Sequence, residues 1–162
     1  MMTARINTLH RRDGFRLMEM VVGMGIGMAV VAGTLSLFIL YLRSYNTTSL
    51  MRTSSSRACI VLERMVYGIG TNAGLREASS LTFTYAPLTN GWQINITNNL
   101  WFVYNSTTKT IKDQAGKTCG TNIIASTIMN YTNSVRISVS AAESGGGRTS
   151  TNTMQTFVQF RN

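Results

Sequence analysis

The stretch MVVGMGIGMAVVAGTLSLFILYL, residues 20–42, constrains how the rest of the chain can fold. Its 23 residues carry no charged side chain, and a helix of that length would reach about 34 Å, enough to cross a bilayer core of about 30 Å. Four arginines precede this run and only Arg43 follows it at once, so the positive-inside bias predicts a cytoplasmic N-terminus. A cleavable secretory signal is the alternative, but its apolar core is usually about 7–15 residues, and no A-x-A site follows this run. We therefore predict a retained spanning helix.

A second apolar pattern follows the spanning segment. Apolar residues recur there at three- and four-residue intervals, which is typical of an amphipathic helix whose apolar stripe needs a partner. No proline or long glycine-rich linker separates the two segments, so we expect one helix over residues 15–73, spanning at 20–42, amphipathic at 43–73 and loosened around 47–56. Three glycines mark its expected end. The stripe consists of Ala58, Val61, Leu62, Met65, Val66 and Ile69, and the glycines are Gly68, Gly70 and Gly74.

Residues 74–162 are predicted to form a β head, because from Leu81 onward the pattern changes to apolar alternation, which predicts half-buried β-strands. Alternation is clearest at residues 81–85, 92–96 and 135–139. Two antiparallel hairpins are also predicted. The first pairs residues 100–105 with 110–113, and the second pairs 135–140 with 154–161 across a glycine-rich loop at 141–153. The predicted fold class is therefore α+β, with one long N-terminal helix packed on a small antiparallel β-sheet head.

The titratable residues are poorly suited to catalysis. His10 is the only histidine, and the acids beyond the spanning segment are far apart in sequence: Glu63, Glu77, Asp113 and Glu143. General acid–base catalysis needs positioned groups that titrate near neutrality, and metal sites need clusters of histidine, cysteine or carboxylate. We therefore predict no enzymatic activity, no catalytic residue, and no metal or other cofactor.

The chain is strongly basic, with 15 Lys+Arg against 6 Asp+Glu and a net charge of +9. Loss of residues 1–14 would leave 12 basic and 5 acidic residues. Such an excess can favour nucleic acid, because phosphate contacts supply much of the sequence-independent affinity. The basic residues are scattered, however, and only Lys109, Lys112 and Lys117 cluster. A solvated surface, or a face for an acidic partner, is favoured over nucleic acid.

The two cysteines, Cys59 and Cys119, leave two alternatives open. They could form one disulfide in an oxidising compartment, or they could be two buried free thiols. A bridge would close a loop of about 60 residues and add roughly 4 kcal/mol on the chain-entropy model. The spacing alone does not decide between them.

The junction between the basic leader and the spanning segment reads GFRLME, residues 14–19. Glu19 is anomalous there, because a carboxylate at the edge of a spanning segment is costly unless it stays at the interface or is paired. Cleavage after Gly14 would create a positive α-amine on Phe15, one helical turn from Glu19. The acid would then form half of an ion pair, within one chain or between neighbouring chains.

With this basic leader, Gly14-Phe15 and an acid at position 19, the chain resembles the bacterial type IV pilin-like family. The resemblance implies that prepilin peptidase removes residues 1–14 and methylates the Phe15 amine. It also implies that the protein is held in the inner membrane by a single span, and then enters a periplasmic or extracellular filament. In that filament Glu19 would neutralise a neighbour's N-terminus. The implied partners are the peptidase, other minor pilins or pseudopilins, and the major pilin.

The head resembles, as a pattern of strands, the heads of PilW-type minor pilins and J-type type II secretion pseudopilins. Two residues depart from the family pattern. Arg16 replaces a small polar residue and could pair with Glu19, and Ser36 stands where many major pilins carry a kinking proline. Two functions therefore remain: a tip subunit of a type IV pilus or of a secretion pseudopilus, or a basic head that binds DNA or a surface.

Overall fold

The computed structural model describes residues 12–78, 83–97 and 99–160, with side chains from Arg16 onward. The chain forms two compact units, one ending at Tyr45 and the other beginning at Asn46. Helix α1 (Arg12–Tyr67) has 56 residues and is uninterrupted through residues 47–56, where loosening was expected. The serine and threonine hydroxyls of this stretch bond back to carbonyls of the preceding turn, as Thr53 does to Ser49 and Ser54 to Met51, so they do not compete with the helix.

The predicted helix end near residue 73 is wrong, because α1 ends at Tyr67. Gly68 has φ +86° and opens a two-residue hairpin of β1 (Gly68–Ile69) and β2 (Asn72–Ala73). A side chain at Gly68 would be strained at that φ and would overlap the Asn72 carbonyl. The glycines therefore end the helix by building a turn six residues before the predicted boundary. A short 3-10 helix, η1 (Leu75–Glu77), follows.

The rest of the head consists of two antiparallel sheets, so the predicted α+β class of a long N-terminal helix followed by antiparallel β structure is confirmed. The strand predicted at residues 81–85 is confirmed over residues 83–85, while residues 81 and 82 lie outside the described chain. The strand at 92–96 and the hairpin at 100–105 and 110–113 are also confirmed. The five-stranded sheet runs, in spatial order, β3 (Phe83–Leu88), β4 (Gly91–Ile96), β5 (Asn99–Asn105), β6 (Thr110–Asp113) and β7 (Thr118–Gly120). The three-stranded sheet has the order β10 (Arg148–Gln159), β9 (Ser134–Gly145), β8 (Ile123–Asn130).

The long loop predicted at residues 141–153 is wrong. Strands β9 and β10 each run for 12 residues and pair throughout, and only Gly146 and Gly147 form the turn. Both have positive φ, +57° and +74°, as a tight two-residue hairpin requires. On the solvent face hydroxyls pair across the strands, as between Ser140 and Thr153 at 2.7 Å. Such polar cross-strand pairs replace the apolar alternation on which the prediction relied.

The core lies between the second half of α1 and the two sheets. Ala58, Val61 and Met65 are fully buried, which confirms the amphipathic stripe on the helix. The sheets are also joined by polar contacts: Trp92 Nε1 donates to the Ser126 carbonyl at 3.1 Å, and the Tyr104 hydroxyl donates to the Ile123 carbonyl at 3.2 Å. The head is therefore held together by an apolar core, and the polar groups of two buried aromatic side chains are paired across the sheets.

Candidate functional site

The first part of α1 is an exposed apolar surface. Every side chain described between Arg16 and Tyr45 is exposed, including large apolar ones such as Leu17 at 68% and Met28 at 75%. By length and composition this helix could span a membrane. A Cβ placed on its glycines would meet nothing within 4 Å. Small residues in a spanning helix let other helices approach closely. The four glycines are Gly23, Gly25, Gly27 and Gly33.

The predicted processing site lies at the start of this surface. The backbone of Gly14 and Phe15 is already helical, while the Phe15 side chain lies outside the described part of the chain. Glu19 and Arg16 are both exposed on α1. Among the side chains described, no ion pair joins Arg16 to Glu19, although they lie one turn apart. The Glu19 carboxylate is thus exposed and has no ion-pair partner among the side chains from Arg16 onward.

Polar contacts attach the β9–β10 hairpin to residues 47–57 of α1. Asn152 Nδ2 donates to the Met51 carbonyl at 2.9 Å and to Ser54 Oγ at 2.8 Å, and Ser54 is fully buried. An ion pair between Arg57 and Glu143, 3.2 Å apart, lies along the same contact. The sequence did not reveal this attachment, because residues 141–153 were predicted to be a loop.

The two cysteines are free thiols rather than a disulfide, but only Cys119 is buried, so the second alternative holds for that residue alone. Cys119 is fully buried in β7, where Arg64 donates to its carbonyl at 2.8 Å. Cys59 is exposed and lies instead beside β10. Arg64 is the residue of α1 that contacts Cys119. Because α1 has about 3.6 residues per turn, Arg64 and Cys59 lie on different sides of the helix.

Cys119 gives the head a testable pH dependence. Burial raises the pKa of its thiol from 9.0 to about 12; the Asp113 carboxylate adds to the rise, and Arg64 opposes it. The folded pKa lies above the unfolded one, so this contribution to stability is complete below pH 9 and is lost as the pH rises toward 12. The free energy of unfolding should fall by at most about 1.4 kcal/mol per pH unit in that window, relative to Cys119→Ala.

Urea unfolding of both proteins at pH 8 and pH 10 measures the effect, and the alanine variant keeps all the other titrating groups. Parallel stability profiles for the two proteins would show that the thiol ionises as readily when folded as when unfolded.

The lysine cluster and the acids form no obvious binding centre. Lys109, Lys112 and Lys117 are exposed around β6. Asp113 is buried, and its Oδ1 accepts from the Ala115 and Lys117 N–H groups at 3.0 and 2.7 Å, so it organises the β6–β7 turn. Within residues 12–78, 83–97 and 99–160, no three metal-ligating side chains come together.

No protein-family model, no curated protein and no solved structure matches the chain. An assignment of function therefore rests on the chain's own residues.

Proposed function

We propose that this protein is a minor subunit of a type IV pilus-like filament, a structural component rather than an enzyme. The leader, residues 1–14, is removed by prepilin peptidase, and the new Phe15 amine is methylated. Before assembly the protein is held in the inner membrane by residues 20–42, with its N-terminus in the cytoplasm. Its β head then lies outside the cytoplasm.

The observation that carries this proposal is the placement of Glu19. It is an exposed acid with no ion-pair partner among the described side chains, and between residues 16 and 42 of the helix the only other charged residue is Arg16. A carboxylate in that position is costly in lipid unless a cation meets it. An α-amine on Phe15 of a neighbouring subunit supplies such a cation once residues 1–14 are gone.

The exposed glycines on the same helix support assembly with other helices. Gly23, Gly25, Gly27 and Gly33 lower helix propensity and contact nothing in the described chain, which leaves their surface open for close packing. The subunits that pack there would be other minor pilins or pseudopilins and the major pilin. The tip of a type II secretion pseudopilus would use the same features. The proteins that bind the head would therefore distinguish a type IV pilus from a type II secretion pseudopilus.

The mature N-terminus tests the proposal directly. In envelope fractions of a host with an active prepilin peptidase, mass spectrometry of the intact protein should find a chain that begins at Phe15 and carries an added methyl group. The same protein from a host without the peptidase should retain residues 1–14.

Replacement of Gly14 by a bulky residue should give the unprocessed form in both hosts, which is the matched control. A chain that begins after Leu42 would identify the apolar run as a secretory signal and would refute the proposal, as would intact residues 1–14 in the host with an active peptidase.

A further inference from the structure

Strand β10 is an open sheet edge. It pairs only with β9 in the described chain, and it runs for 12 residues, with no proline and no charge after Arg148. Edge strands are usually protected from pairing by shortness, by proline, by charge or by a bulge. The other edges of the two larger sheets carry such protection: β3 contains Pro87, β7 has three residues, and β8 is bulged between Ile123 and Ala125. Of these four described edges, only β10 has no such protection.

The free backbone groups of β10 can be identified from its pairing. The Phe160 N–H donates to the Asn133 carbonyl at 3.0 Å, so the even-numbered residues of this strand bond toward β9. In an antiparallel ladder the residues between them point their N–H and C=O groups the other way. Gln155, Phe157 and Gln159 therefore point their backbone donors and acceptors to the outer edge, where no backbone group of the described residues pairs with them.

That edge faces an apolar groove of about 780 Å³ between β10 and the last turns of α1. Leu62 and Val158, both nearly buried, form part of its lining. Tyr67 and Phe157 also line it and are largely exposed, at 62% and 64%. A row of free backbone groups beside an apolar wall is the arrangement that an added β-strand completes.

The charges of the groove argue against an anionic polymer. Glu63 and Arg76 both line it, one of each sign, although the chain as a whole carries +9. The Arg76 guanidinium is also held over the Tyr67 ring, 5.7 Å from its centroid. A lipid chain could fill the apolar wall but could not pair with alternating N–H and C=O groups.

We propose that this groove binds an extended segment of another polypeptide chain, which adds as a strand to β10 and directs apolar side chains at alternate positions toward α1. The proposal does not depend on the filament assignment, because it rests on the β10 edge and the groove alone.

The experiment uses the full-length protein in detergent and a fluorescent peptide with the sequence SVRISVSAA, residues 134–142. This sequence already pairs with β10 on its other edge and has the required alternation. Fluorescence anisotropy should show saturable binding. A second peptide of alternating valine and threonine should bind comparably, and the first peptide with proline at the position of Ile137 should not.

Two variants of one residue separate strand pairing from simple apolar contact. Gln159→Pro removes an outward-facing N–H and should weaken binding at least about tenfold, whereas Gln159→Ala should change it less than about twofold. Neither change removes a bond to β9, and circular dichroism checks that both variants fold. Cys59 lies at an exposed position on the helix side of the groove. Cys59→Trp should weaken binding, because the larger side chain would occupy the space of the added strand.

Equal binding by the proline and alanine variants, or by the proline-containing peptide, would overturn the proposal, because it would mean contact without strand pairing. Failure of both alternating peptides to bind would also overturn it. Self-association of the protein that Gln159→Pro abolishes, in the absence of peptide binding, would make a second copy of this chain the occupant instead.

Discussion

Glu19→Ala should leave the protein in the inner membrane while assembled filaments fall by at least about tenfold. Loss of a charge eases insertion of a spanning helix, so membrane fractionation should be unchanged. Loss of the carboxylate leaves a neighbour's α-amine without a partner among apolar helices, and an uncompensated buried charge costs roughly 3–5 kcal/mol. A loss of 1.4 kcal/mol already lowers an association constant tenfold. Electron microscopy of a deletion strain that carries each variant gives the filament count.

Two variants control this result. Arg16→Ala removes the other exposed charge at the same end of α1, and should leave assembly intact because no described ion pair joins it to Glu19. Glu77→Ala removes an exposed acid from η1, with the same change in net charge. Normal filaments with Glu19→Ala would contradict the pairing role. Loss of filaments with Arg16→Ala would identify Arg16 as the partner.

The sequence predicted those parts of the fold in which local pattern and tertiary environment agree. The stripe on α1 and the alternation at Trp92, Ile94 and Ile96 each have one apolar face, and each packs that face into the core. The same reasoning found the second half of β10, from Met154 onward, but failed at residues 148–153, where Thr151, Thr153 and other polar side chains occupy the solvent face and the inner face receives Asn152. The length of β10 is set by its pairing with β9, and the sequence of β10 alone does not show that pairing.

The candidate site was predictable in part for the same reason. The junction at residues 14–19 is a local signal, so Gly14, Phe15 and Glu19 could be selected without a structure. The groove beside β10 brings Cys59 and Leu62 close to Val158, about 100 residues later in the chain. No local pattern connects those positions. The free edge is also formed by backbone groups, and the types of side chain do not show which backbone groups are unpaired.

Gly74→Ala should destabilise the head by roughly 3 kcal/mol or more, out of a total of about 5–15 kcal/mol for a domain of this size. Gly74 has an ordinary φ of −97°, so the cost is not conformational. A Cβ there would overlap backbone atoms of Val66, Tyr67 and Gly68, which form the end of α1. Backbone in a packed turn cannot move aside as a side chain can, so either the helix end or the neighbouring Leu75, which is fully buried, must leave its place.

Gly70→Ala is the matched control for that variant, because the two glycines lie four residues apart in the same hairpin region. Gly70 has φ +67° and open space around a built Cβ, so alanine there should cost only about 1 kcal/mol of backbone strain. Urea unfolding of the full-length protein in detergent, followed by fluorescence of the buried Trp92, measures both. Equal destabilisation would mean that the chain between Tyr67 and Leu75 relaxes around the added methyl group. A much larger loss at Gly74 would show that close backbone packing at the end of α1, rather than glycine's freedom to take positive φ, fixes where the helix stops and the sheet begins.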